Sequence, residues 1–222
     1  ANDYDFPAIE NGYVIKTELP DGGLGRAQSF IFNLRLAKFQ DPQVREAIGL
    51  MFNFEWSNET LFYGLYARVK SFWSNSDMEA SGPPSPEELA ILETVAEHLP
   101  ASVLTDDAYV PPVSNDSQID RKAIRAANKL LDAAGWQIAD DGKRYNAAGE
   151  QLTVEFLTYS PLFDRIINPY VENLRAIGVN ASLNRVDNAQ LQQRQRDGDF
   201  DMITAHFPMG YEPGSGLRQY FG

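Results

Sequence analysis

The chain has 222 residues, 43% of them apolar and 23% charged, enough to bury a core as one large domain or two small ones. Its 31 acidic residues outnumber 19 basic ones, a net charge of −12 that excludes nucleic acid and anionic membrane surfaces, which demand clustered Lys and Arg, and points to a neutral or cationic ligand. There is no cysteine, so disulfides, thiolate nucleophiles and Cys-based zinc sites are excluded, and no run reaches the roughly 18 apolar residues of a membrane helix.

In chain order, residues 1–28 lack periodicity and carry turn signals at Asn11-Gly12, Pro20 and Asp21-Gly22-Gly23, which reads as a peripheral connection. No basic start followed by an apolar stretch follows Ala1, so no signal peptide is read. Residues 29–34 alternate as a strand. Asp41 is placed to cap a helix whose first residue is Pro42, with Val44, Ala47, Ile48 and Met51 on its buried face. Residues 56–65 continue as helix, and 66–85 form a long loop. Ser85-Pro86-Glu87-Glu88 is a capping box opening a helix with Leu89, Leu92, Val95 and Ala96 on one side. A second loop, 99–118, is broken by Pro100 and Pro111-Pro112.

The pattern predicts a helix over 119–134, with Ile124, Ala127, Leu130 and Leu131 along one face and Gly135 as its left-handed stop. Residues 136–158 read as a small β-meander with turns at Asp141-Gly142 and Gly149. A strand to Thr158, a helix over 162–177 stopped by Gly178 and a strand over 179–186 make a βαβ crossover with parallel strands. A short helix at 188–197 and a strand at 200–207 follow. The whole reads as one α/β domain with long loops. The chain stops directly after Gln219-Tyr220-Phe221 with no polar tail, which reads as a boundary inside a longer protein.

Catalytic signatures are missing. His98 and His206 are the two histidines, and neither has a second His at metal spacing. No Gly-x-Ser-x-Gly elbow or phosphate loop occurs, and Gly23-Leu24-Gly25 fails the dinucleotide pattern at its third glycine. Asp197, Asp199 and Asp201 imitate the start of a calcium loop. Met202 and Pro208 stand where that loop needs Gly and Glu, so they read as a solvated turn. No enzyme activity, cofactor or metal is expected. The sequons at Asn58, Asn115 and Asn180 carry little weight.

Several segments together resemble one family. They are Phe32-Asn33 followed by Asp41-Pro42-Gln43-Val44-Arg45-Glu46-Ala47-Ile48, then Asn53-Phe54-Glu55-Trp56, Leu61-Phe62-Tyr63-Gly64 and the stretch from Pro83 to Leu92. Ala134-Gly135-Trp136, Pro169-Tyr170, Arg185-Val186-Asp187, Phe200-Asp201-Met202 and Pro213-Gly214 with Arg218 continue the series, though Ser215-Gly216 depart from the family's Asn-Glu. This order is similar to the second lobe of the family 5 extracellular solute-binding proteins of ABC importers (peptide/nickel type), and most to their YejA-like oligopeptide-binding subgroup.

The resemblance implies an α/β fold: one lobe of a periplasmic-binding-protein-like (type II, cluster C) structure, with a mixed sheet flanked by helices. It implies three parts: residues 1–28 near the hinge, 29–207 as the lobe, and 208–222 returning toward the hinge. The implied partners are a peptide ligand, a missing first lobe of the same polypeptide and an inner-membrane ABC permease, with a periplasmic location. A non-peptide solute such as a metal chelate or oligosaccharide is the alternative ligand. A carboxylate-dependent hydrolase is a further alternative, and it would need two carboxylates converging in one cleft.

Candidate ligand contacts cluster where the resemblance places them. Asn33 either offers its amide to a ligand backbone or ends its strand through local backbone bonds. Thr204, His206, Phe207, Tyr211 and Glu212 follow the last strand, either contacting ligand or packing. Receptors of this type often place an Asp here for the ligand's amino terminus. Glu212 is the one acidic residue beyond Asp201. Arg45 reads as structural, bound to a nearby carboxylate or carbonyl.

Overall fold

The structure, a computed structural model, describes residues 6–221 except 18, 21 and 213, and only the backbone of 219–221. A single turn, α1 (Pro7–Glu10), precedes strand β1 (Ala27–Phe32). A 3-10 turn leads to α2 (Pro42–Leu50) and α3 (Phe54–Phe62). A peripheral arm carries α4 (Pro86–Leu92), a 3-10 stretch over Glu93–His98 and the one-turn α5 (Ser102–Thr105). Then come α6 (Arg121–Ala133), the strand pair β2 (Gln137–Ile138) and β3 (Arg144–Tyr145), β4 (Thr153–Thr158), α7 (Asp164–Ala176), β5 (Asn180–Arg185), α8 (Asn188–Asp197), β6 (Met202–Phe207) and α9 (Ser215–Phe221).

Four strands form one mixed sheet in the order β1-β6-β4-β5. β4 runs parallel to β5 and β6, as the βαβ pattern requires, while β1 is antiparallel to β6. Register alternation gives the sheet two faces. Phe30, Phe32, Met202, Val154, Phe156 and Ala181 share the face that meets α2 and α7. Tyr170 of α7 is the hub: its ring lies 4.9 Å from Phe156, 5.4 Å from Phe30 and 5.3 Å from Phe52. Its hydroxyl donates to the Ile48 carbonyl at 2.9 Å, and burial pushes its ionisation up. α6 packs behind α2 through Ala127 and Leu131. The other face carries buried Leu157 and is covered by α8 through buried Leu191 and an Arg194–Glu155 ion pair at 2.8 Å.

Local chemistry sets the element ends. Asp41, Asn53, Asp120 and Asp187 each accept from a backbone N–H in the first turn of the helix that follows. The capping box at Ser85 forms in full. Arg45 donates to the Phe39 and Gln40 carbonyls, the structural role expected of it. At Gly178 φ is +84°, and a Cβ would lie 3.0 Å from the Gly142 carbonyl and 3.1 Å from the Arg144 side chain. Glycine is therefore required on two grounds.

Three expectations are corrected. Residues 136–158 form a meander only as far as Gln151, which bridges back to Tyr145. β2 and β3 make a two-rung hairpin, and 153–158 joins the main sheet as a central strand, because Val154, Phe156 and Leu157 need burial on both faces. The helix after Ser85 ends at Leu92 and gives way to a 3-10 stretch from Glu93 that is interrupted at exposed Val95 (φ −125°); α4 meets no core that would hold a longer helix straight. The second loop contains a turn of helix, α5. Among the described residues, no helix is long and apolar enough to cross a membrane.

Candidate ligand-binding site

Topology locates the site first. From β4 the chain crosses through α7 to β5 on one side, then returns through α8 past β4 to β6 on the other. α7 lies on one face and α8 on the opposite face, so the crossovers diverge where they leave the carboxyl ends of β4 and β5, and β6 ends beside β4 at the same end of the sheet. Such a divergence opens a crevice in an open parallel sheet, the usual place for a ligand. Tyr159 and Ser160 leave β4 there, and residues 206–212 leave β6 beside them.

Five of the six predicted contacts gather at this end. Thr204 is half-buried on the core face opposite Phe30, and His206, two residues on, is exposed opposite Gln28. Phe207 points to the other face and meets Phe72 edge-on, with ring centres 5.6 Å apart. The Tyr211 hydroxyl donates to the Gly22 carbonyl at 2.7 Å while its ring stays 62% exposed. Glu212 is exposed. The Trp73 indole N–H donates to the Gly210 carbonyl at 3.1 Å, and the Gly25 amide to the Ser74 carbonyl at 2.7 Å. Three segments, 22–25, 72–75 and 207–211, are thereby stitched into one rim.

Asn33 does not join them, and the expectation that it contacts ligand is corrected. β1 is antiparallel to β6, so Asn33 lies at the far end of the sheet, about 17 Å along the strand from the rim. Its side chain is buried, and both amide hydrogens are committed, to the Gly198 carbonyl at 2.8 Å and the Phe200 carbonyl at 2.9 Å. Its Oδ1 accepts the Arg35 N–H at 3.2 Å. It terminates the strand, the second of its two readings.

A polar cleft of about 400 Å³ opens at that same far end, lined by Thr153, Glu155, Asn180, Arg194, Asp199 and Asp201 among others. Three carboxylates converge there, as a hydrolase would need, but each is tied to a cation. Arg194 binds Glu155 at 2.8 Å and Asp199 at 2.9 Å, and Lys38 binds Asp201 at 2.8 Å. Burial pulls the Arg194 ionisation down, and the two carboxylates beside it lift it above its ordinary value. Asp201 also accepts the Glu155 amide at 2.9 Å. This is a network that holds α8 and the 198–201 turn to the sheet. It also corrects the reading of the three aspartates: Asp201 is a half-buried anchor, not part of a solvated turn. Among the described residues, no cluster of three His, Cys, Asp or Glu could hold a metal ion.

The family model described as bacterial extracellular solute-binding proteins, family 5 middle, matches residues 5–222. The chain belongs to that family. It is 38% identical over 221 residues to the probable peptide-binding protein YejA of Agrobacterium fabrum, covering 99% of this chain and 36% of that protein. The chain thus spans about a third of the length of such family 5 relatives. Two solved solute-binding proteins share its fold. The oligopeptide-binding protein AppA of Bacillus subtilis, in complex with a nonapeptide, superposes with a TM-score of 0.60 at 19% identity, over 88% of this chain and 33% of that one. NikA of Brucella suis, in complex with Fe(III)-EDTA, gives 0.57 at 21% identity, over 89% and 36%. The mixed sheet with helices on both faces is accordingly one lobe of a periplasmic-binding-protein fold.

Sequence reasoning missed part of the rim. Tyr159 is 54% exposed directly after β4, and Phe72 and Trp73 come from the loop after α3. Tyr159 had a usable signal, since it ends the first strand of the βαβ unit and so had to sit at the crossover. Phe72 and Trp73 had none, because nothing local links residue 72 to residue 207.

Proposed function

We propose that this chain is the second lobe of a periplasmic receptor that captures oligopeptides and delivers them to an ABC permease. One observation carries the reading. At the carboxyl ends of the neighbouring strands β4 and β6, Tyr159, His206 and Tyr211 are exposed, side chains that pair an apolar surface with a polar tip. Such groups hold a polyamide backbone and tolerate varied side chains. Residues 29–207 form the body of the lobe, and 1–28 and 208–222 lead from and toward the hinge. The remaining ligand contacts come from a first lobe outside this chain, and closure of the two excludes water. The chain does no chemistry, and it needs no cofactor and no nucleic acid. By itself this lobe binds ligand weakly, because half a clamp encloses nothing.

Native mass spectrometry of the full-length protein, purified without denaturation, tests this. A ladder of peptide masses is the expected result. A single discrete non-peptide mass would retain the receptor and replace its ligand with a chelate or oligosaccharide. Replacing His206 and Tyr211 together by alanine in the full-length protein should weaken peptide affinity by about tenfold or more. Unchanged affinity would remove the rim from the site.

A further inference from the structure

Residues 71–120 hold ten of the chain's 31 acidic residues and none of its 19 Lys and Arg. The same segment builds no core. From Asn58 to Ala126 no residue is buried, and α4, the 3-10 stretch and α5 have no buried member. Apolar side chains face outward instead: Ile91 is 70% exposed, Tyr109 73% and Val113 75%, with Val95 and Val110 also exposed. Among the described residues none of the ten carboxylates pairs with a Lys or Arg. A surface both apolar and single-signed is a contact surface, because apolar patches seek cover and the charge selects what covers them.

The arm springs from the point where the chain enters and leaves the body. Asn75 donates to the Gly23 carbonyl at 2.8 Å, the Gly25 amide donates to Ser74, and Trp73 donates to Gly210. Whatever lies beyond residues 22 and 211 starts beside the arm's root.

We propose that this arm, residues 77–113, is the docking surface for a basic, apolar-ridged face carried by the rest of the longer polypeptide. The proposal rests on the reading of this chain as one lobe of a larger receptor. Charge disposes of two other occupants. A second copy packed two-fold would set the same acidic surface against itself, and an anionic membrane would repel it. The root's position favours the same polypeptide over a separate protein.

The test uses the full-length monomer. A carbodiimide activates carboxylates, and a lysine in contact then forms an amide to them. Glu87, Glu93, Asp106 and Asp107 are expected to cross-link to lysines outside residues 1–222, within one chain. Backbone amides of 86–105 are expected to exchange slowly with deuterium. About 0.5 M NaCl, which screens charges within a few ångströms, should reduce the cross-links. The variant Glu87→Gln, Glu93→Gln, Asp107→Asn should speed exchange over 86–105 by about tenfold. Carboxylates that couple only to an added small amine, with amides exchanging in seconds, would overturn the proposal. So would cross-links found only between two chains. The receptor reading is judged separately: a protein that carries peptide yet leaves the arm open keeps its function and loses this contact. A docked arm on a protein that carries no peptide does the reverse.

Discussion

Two side chains show how much of this fold is held by charge inside the body. Arg144 is fully buried under the β2–β3 hairpin. It donates to the Ile177 carbonyl at 2.7 Å, Asp132 at 2.7 Å, Asn128 at 2.6 Å and the Trp136 carbonyl, joining the ends of α6 and α7. Replacing Arg144 by Met strands those carbonyls and should lower stability by about 2–4 kcal/mol in urea unfolding. Arg144→Lys should recover little, since an ammonium cannot fill a planar fork. Glu55 is the second case. Burial pushes its carboxyl up, but Arg68 (2.6 and 2.7 Å) and the Ser114 amide (2.8 Å) outweigh that and hold it down at about 2, against an ordinary 4.5. A depressed carboxylate contributes stability that is present above its unfolded value and is lost as pH falls through the folded one. The stability gap between the native protein and Glu55→Gln should therefore be constant above about pH 5 and shrink toward pH 2, as measured by urea midpoints. Neither role was legible in the sequence. Both depend on partners brought together by tertiary structure, whereas the local role of Arg45 could be read from its place in its own helix.

Among the helix caps, those at Asp41 and Ser85 were legible in the sequence, because a cap is made by residues within three positions of each other. Their energetic weight is not legible, since it depends on what the helix packs against. Asp120 caps α6, which buries Ala127 and Leu131 against α2, and three backbone amides hold its carboxyl below the ordinary range against the opposing pull of burial. Asp120→Ala should cost about 1 kcal/mol of global stability. Ser85→Ala removes an equally well-formed capping box from α4, which has no buried residue. Its effect should appear as faster hydrogen exchange over 86–92, with the global urea midpoint unmoved. Equal global losses would mean that the arm unfolds together with the body. The meander was misread for a related reason. Alternation at 152–157 marks a strand but not its partner, and the partners here are 180–185 and 202–203.

At the scale of the whole molecule, the βαβ unit was readable because its strands, helix and stop glycine follow one another within about thirty residues. The candidate rim was half readable. Its β6 side lies in one continuous segment, while its other side comes from residues 22–25 and 72–75. The pairing of β1 with β6 was not readable, because it joins Ala27 to Phe207. That pairing governs the order of assembly. A ribosome releases β1 first, and this edge strand has nothing to bond until some 170 residues later, when β6 appears. Closing so long a loop is entropically slow. In pulse-labelled refolding, amides of β4 and β5 should gain protection before those of β1, and simultaneous protection would refute this sequence of events. The sheet therefore stays unfinished until residue 207 has been made. In the exported receptor proposed above, the late strand is a built-in delay against folding too early.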